Sequence, residues 1–163
     1  MSKHPKFTLC LAFAAVVALG APAVFAMNSD SDEKPSQSSA ANPDYAAGKA
    51  AVEAKDWKAA IAALSKAEAK DPKNADLENY LGYAYRNSGD MDAALKHYGT
   101  ALTINPDHKG AHEYMGEAYL LKGDLADAQK HLDALDKICL LGCAEYTALK
   151  QKVAEYKKAN KTS

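Results

Sequence analysis

Asn74 to Pro106 reads NADLENYLGYAYRNSGDMDAALKHYGTALTINP. Asn74 can cap a helix, and Leu77, Leu81, Ala84 and Tyr85 then recur at helical spacing. Ser88, Gly89 and Asp90 stop that helix, because glycine tolerates the left-handed conformation beyond a helix end and aspartate can cap the next one. Ala94, Leu95, Tyr98, Ala101 and Leu102 form a second apolar stripe, and Asn105 and Pro106 close it. The stretch is therefore helix, tight turn, helix, loop. It recurs at a period of 34 residues: Gly48, Gly82 and Gly116 share a column, as do Asp56, Asp90 and Asp124, then Ala60, Ala94 and Ala128, then Trp57, Met91 and Leu125, with Pro72 and Pro106 extending the series. Such a period means stacked supersecondary units rather than one closed core, and it points to recognition as the function.

The third unit carries Met115, Gly116 and Tyr119, the turn Lys122, Gly123 and Asp124, then Ala128, Leu132 and Leu135. The first is sparser, with Gly48 and Ala51, the turn Lys55 and Asp56, then Ala60, Leu64 and Ala67. A glycine inside a helix costs roughly 0.5 to 1 kcal/mol relative to alanine, so a glycine column needs a packing reason. Close approach of the paired helix in the same unit supplies one.

These columns resemble the tetratricopeptide repeat family. Its small, aromatic, alanine and proline positions fall on Gly82, Tyr85, Ala94, Tyr98, Ala101 and Pro106 in the second unit. The first unit has Ala51 in place of the aromatic and the third has Leu140 in place of the closing proline. The resemblance implies an all-α, right-handed α-solenoid of three helix-turn-helix repeats, 43–74, 75–108 and 109–142, with a capping helix and tail over 143–163. It also implies a concave peptide-binding groove at Tyr45, Lys49, Asn79, Tyr83, Arg86, Asn87, Glu113 and Glu117. That set mixes aromatic, amide, basic and acidic groups, which suits an extended peptide. Arg86 is the single arginine and the first candidate for a carboxylate or phosphate contact; the alternative is a pairing with an acidic neighbour at a helix end. Where the family's chaperone-tail binders carry basic residues for a terminal carboxylate, Tyr45 and Gly110 stand at two of the positions.

The N-terminus reads as a secretory signal peptide: Lys3 and Lys6, an apolar run from Phe7 to Leu19, and small residues up to Ala26 for cleavage. A membrane span needs roughly 20 apolar residues, and Gly20 and Pro22 interrupt the run. Retention as an uncleaved anchor is the alternative. Cleavage after Ala26 would leave 18 Lys and Arg against 21 Asp and Glu, a net charge of about −3, in the periplasm or outside the cell. No basic face with interleaved aromatics suggests nucleic acid. Residues 27–42 are polar, without a stripe, and are expected to be a disordered linker.

Tyr146, Leu149, Val153 and Tyr156 share one face of an expected helix from about Glu145 to Ala159, with Lys150, Lys152, Lys157 and Lys158 around the rest, as a cap on the stack requires. Cys139 and Cys143 flank Leu140, Leu141 and Gly142 just before it. In an exported chain the pair is expected to form a disulfide, worth roughly 2 kcal/mol for so short a loop. The competing readings are thiol redox chemistry and a soft-metal site completed by His131. Ala144 directly after Cys143 excludes covalent haem attachment. His108 and His112 are four apart beside Glu113, a spacing that can chelate a metal; the plainer expectation is loop and exposed helix residues. No phosphate loop or nucleophile elbow is present, so neither catalysis nor a cofactor is expected. The sequence indicates a binding module for a protein or peptide, an adaptor or assembly factor of the envelope, with self-association as a further possibility.

Overall fold

The computed structural model describes residues 42–161. The signal segment 1–26 and linker residues 27–41 lie outside the described residues; Asn42, assigned to the linker, instead caps the first helix, its Oδ1 accepting from the Asp44 and Tyr45 amides. Seven helices follow among the described residues: α1 Pro43–Glu53, α2 Trp57–Glu68, α3 Ala75–Ser88, α4 Met91–Ile104, α5 Lys109–Leu121, α6 Leu125–Ile138 and α7 Ala144–Ala159. The aspartate column explains itself at once. Asp56, Asp90 and Asp124 are the N-caps of α2, α4 and α6, each accepting at 3.0 Å from an amide three residues on. The residue before each aspartate has positive φ: Gly89 at +95°, Gly123 at +83°, and in the first unit Lys55 at +58°. Lysine pays there for a conformation that glycine adopts freely.

α1 packs with α2, α3 with α4 and α5 with α6, while α2 meets α3 and α4 meets α5. The first helices also touch one another, α1 with α3 and α3 with α5, so they share one face. Ala60, Ala94 and Ala128 are fully buried between the pairs, along with Leu64, Leu81 and Tyr98. A Cβ built on Gly48 would lie 2.5 Å from Leu64 Cγ, and one on Gly82 would lie 2.6 Å from the Tyr98 ring, so in these units the partner is the paired helix as expected. Gly116 departs from this. Its Cβ would meet Leu149 Cδ2 of α7 at 2.6 Å, so the cap, not α6, makes the close approach. Leu132 stands in the column of Leu64 and Tyr98, yet it is the fully buried Leu149 of the following helix that lies against Gly116. Burying one leucine side chain contributes about 1.5 to 3 kcal/mol, so α7 is part of the stack's core. Val153 is buried beside Leu149, and Tyr156 donates from its hydroxyl to the Gly123 carbonyl at 3.1 Å. No helix among the described residues is long and apolar enough to cross a membrane.

Candidate functional site

A line of aromatic side chains runs from Trp57 at the start of α2 onto the shared face of α3 and α5. Trp57 meets Tyr83 edge-on with ring centroids 6.0 Å apart, and Tyr83 meets Tyr114 at 5.1 Å. A cavity of about 490 Å³ opens beside them, lined by Trp57, Tyr80, Tyr83 and Tyr114 with Asp76 and Asn79. One wall is held from outside. His108 caps α5 by accepting the Ala111 amide on Nδ1 and bonds Asp76 through Nε2 at 3.0 Å, which holds the Asp76 carboxyl below its ordinary value. The Oδ1 atom of Asn79 is buried without a hydrogen-bond partner.

The expected groove residues divide. Tyr83 and Asn79 line the cavity. Tyr45 does not: it is 4% exposed, packs edge-on against Tyr80 and belongs to the core of the first unit, with the Lys49 ammonium 4.9 Å above its ring. Its large ring is drawn inside by the apolar surface it can bury. Asn87 is exposed and turns its amide back to the Tyr83 carbonyl. Arg86 is engaged: it forms an ion pair with Glu117 and lies 5.3 Å from the Tyr83 ring centroid and 5.4 Å from that of Tyr114. The acidic-neighbour alternative for Arg86 is the one found, with the partner on the next unit's α5 rather than at a helix end. Glu113, half-buried near Glu117 and Glu145, has its pKa pushed up to about 7 by burial first and then by those carboxylates. Sequence reasoning missed Trp57, Tyr80 and Tyr114 as lining residues. Tyr80 and Tyr114 stand 34 residues apart, so the period itself was the signal available.

Two buried polar pairs sit behind this face at equivalent positions. In the second unit His97 Nδ1 lies 2.8 Å from Glu78 Oε2, and Tyr85 stacks on the imidazole at 5.2 Å. One period later His131 Nδ1 lies 3.0 Å from His112 Nδ1, and Tyr119 stacks on His131 at 5.6 Å. His112 also bonds the Pro106 carbonyl through Nε2. The expectation that His108 and His112 are plain exposed residues is therefore overturned: His112 is buried, since both its nitrogens find partners inside, and the two histidines bond to different groups. His131, weighed as a third ligand beside the cysteines, belongs to this pair. Burial, then His112, pushes its pKa down to about 4. Cys139 and Cys143 sit at the α6 to α7 junction with their sulfur atoms at bonding distance and Cα atoms 5.6 Å apart, and Cys143 Sγ accepts the Tyr146 amide as N-cap of α7. Leu140 and Leu141 between them are exposed.

No curated protein sequence matches the chain. Among solved structures, PcrH in complex with the chaperone binding region of PopD is 18% identical over 72% of this chain and 90% of that one, with a TM-score of 0.65. The translocator chaperone SycD of Yersinia enterocolitica is 16% identical over 72% and 83%, also at 0.65. The first repeat domain of Spaghetti (RPAP3), bound to the HSP90 peptide SRMEEVD, is 20% identical over 66% and 85%, at 0.60. At these identities the likeness shows the fold. Two family models, both described as tetratricopeptide repeat, match residues 45–108 and 85–153. Matched from Tyr45 to Val153 by those models, and built of helix pairs at the 34-residue period, the chain belongs to the tetratricopeptide repeat family.

Proposed function

We propose that this chain is an exported interaction module that holds an extended peptide segment of a partner protein on the face of α1, α3 and α5, as an adaptor or assembly factor of the cell envelope. The observation that carries the reading is the 490 Å³ cavity with its line of Trp57, Tyr83 and Tyr114, since aromatic rings give a large contact area at small entropic cost. The fold neighbours lend support: one is bound to an HSP90 peptide and another to a segment of PopD. Arg86 acts in this reading as a strut between units, because its charge is already met by Glu117. Export rests on the sequence of residues 1–26, and the oxidised Cys139–Cys143 pair is its expected companion, fastening α6 to α7.

Trp57 is the single tryptophan and lines the cavity, so its emission reports on occupancy. The test is capture from an envelope extract by the mature protein and by a Trp57→Ala, Tyr83→Ala double variant whose helicity is checked by circular dichroism. A partner held by the wild type and lost by the folded variant, whose peptide then shifts Trp57 emission in the wild type, is the expected result. Equal capture by both proteins would overturn the cavity as the site. N-terminal sequencing of the envelope protein should begin at Met27; a retained N-terminus would overturn cleavage.

A further inference from the structure

Away from the aromatic cavity, the end of α2, the first turn of α3 and the middle of α4 bring together Glu68, Glu78 and His97. One ligand atom from each, two carboxylate oxygens and an imidazole nitrogen, lies within 4.8 Å of the other two. Glu78 is only 2% exposed, so one of the carboxylates has been taken out of water almost entirely. The cluster is unbalanced. Two carboxylates face one imidazole, so even the imidazolium form would pair with only one of them, with Lys96 the further cation near Glu68. Burying a carboxylate charge is costly unless something pairs with it. A dication bound by two carboxylates and a neutral imidazole brings the sum to zero.

The geometry points to more than an acidic patch, because the nitrogen is oriented. Tyr85 stacks on His97 with the ring planes 7° apart, and the imidazole presents Nδ1 to Glu78. Fixed orientation of a histidine is what a metal site demands of its ligands. The third unit supplies an internal comparison. His112, His131 and Tyr119 repeat the positions of Glu78, His97 and Tyr85, but Leu102 stands where Glu68 stands, so the third ligand is missing there. One nitrogen with two carboxylate oxygens, completed by water, is a donor set for zinc-like ions; calcium and magnesium prefer all-oxygen shells of six or more.

We infer that Glu68, Glu78 and His97 form a binding site for one divalent transition-metal ion of the zinc class. The metal takes the place of the Nδ1 hydrogen between His97 and Glu78, and the neutral imidazole then carries its single proton on Nε2. Binding ties α2 to α3 and α4, joining the first unit to the second.

The full chain, stripped with chelator, is titrated with zinc chloride by calorimetry at neutral pH, and cobalt chloride absorption reads the ligand field independently. One zinc per chain and a rise in Tm are expected. Glu68→Gln, which alters the half-exposed member, should weaken zinc binding about tenfold or more, as should His97→Phe, which keeps an aromatic ring against Tyr85. His131→Asn in the third unit should leave affinity within about twofold of wild type, and calcium chloride should give no saturable binding at micromolar concentrations. Absence of saturable zinc binding in the wild type overturns the site. So does zinc affinity unchanged by Glu68→Gln, or lost only with His131→Asn; calcium bound more tightly than zinc overturns the ion class. Should His97→Phe fail to fold, Glu68→Gln decides.

Discussion

The second and third units place the same positions in the same geometry and fill them with different chemistry. In the second, the buried pair behind the inner face is Glu78 with His97 under Tyr85, and Gly82 receives Tyr98 from its own partner helix. In the third, the pair is His112 with His131 under Tyr119, and Gly116 receives Leu149 from α7. The backbone period fixes where a side chain stands. The side chains that meet there decide which neighbour completes the contact. In the first two units the crossing is closed within the pair, by Leu64 and by Tyr98, whereas in the third it is taken by Leu149 of the next helix.

That difference can be broken most directly at its filler. Leu149→Ala should cost about 3 kcal/mol, as expected for emptying a fully buried leucine site, and Leu132→Ala less, because Leu132 is not the group that meets Gly116. Urea unfolding followed by circular dichroism checks both. Equal losses would show that α6 shares the closure after all.

The glycines sharpen the same contrast at a smaller scale. Gly82→Ala drives a methyl into the rigid Tyr98 ring and should cost about 2 kcal/mol. Gly116→Ala meets the methyl ends of Leu149, which can turn aside, and the better helix propensity of alanine offsets part of the strain, leaving a loss below about 1 kcal/mol. Thermal unfolding of the two variants side by side would reveal the order, and a reversed order would refute the account of who fills the crossing.

Acid separates the polar pairs. The folded pKa of His131 is near 4 against an ordinary 6.5, so the unfolded chain takes up its proton first and stability is lost as pH falls through that window, by about 1 kcal/mol once partial exposure is discounted. Glu113 has the opposite sign: raised to about 7 from 4.5, it removes stability as pH rises through its own window. His131→Asn, whose amide can still donate to His112, should lessen the loss between pH 6.5 and 4.5, and Glu113→Gln should steepen it. Urea midpoints at the two pH values measure both slopes, and parallel pH profiles in all three proteins would dismiss these groups as the source.

The smallest effect lies in the turns. Lys55 holds the left-handed position that Gly89 and Gly123 occupy in the later units. Lys55→Gly relieves that strain at some cost in unfolded-chain entropy and should raise stability by about 0.5 to 1 kcal/mol, read as a higher Tm. A lower Tm would mean the strain is compensated by contacts of the lysine stem.

The helix pairs, their aspartate caps, the turn glycines and the face of α7 were legible in the sequence, because each is set by side chains a few residues apart: Asp90 caps through the amide three residues on, and Leu149 and Val153 share a face by helical spacing alone. The site was legible only in part. Tyr83 and Asn79 reach the cavity as their positions imply, while Tyr45 turns into the core and Arg86 is taken up by Glu117, 31 residues away. Those outcomes depend on which side chains of different units meet at a shared space, and spacing within one unit carries no information about it. The same holds for Glu78 with His97, for His112 with His131, and for Leu149 over Gly116. The sequence by itself thus determined the repeat, its helices and their ends, through local hydrogen bonding and periodic burial; tertiary structure alone decided the partners across helices, because packing volume and charge compensation are settled between side chains the chain brings together from afar.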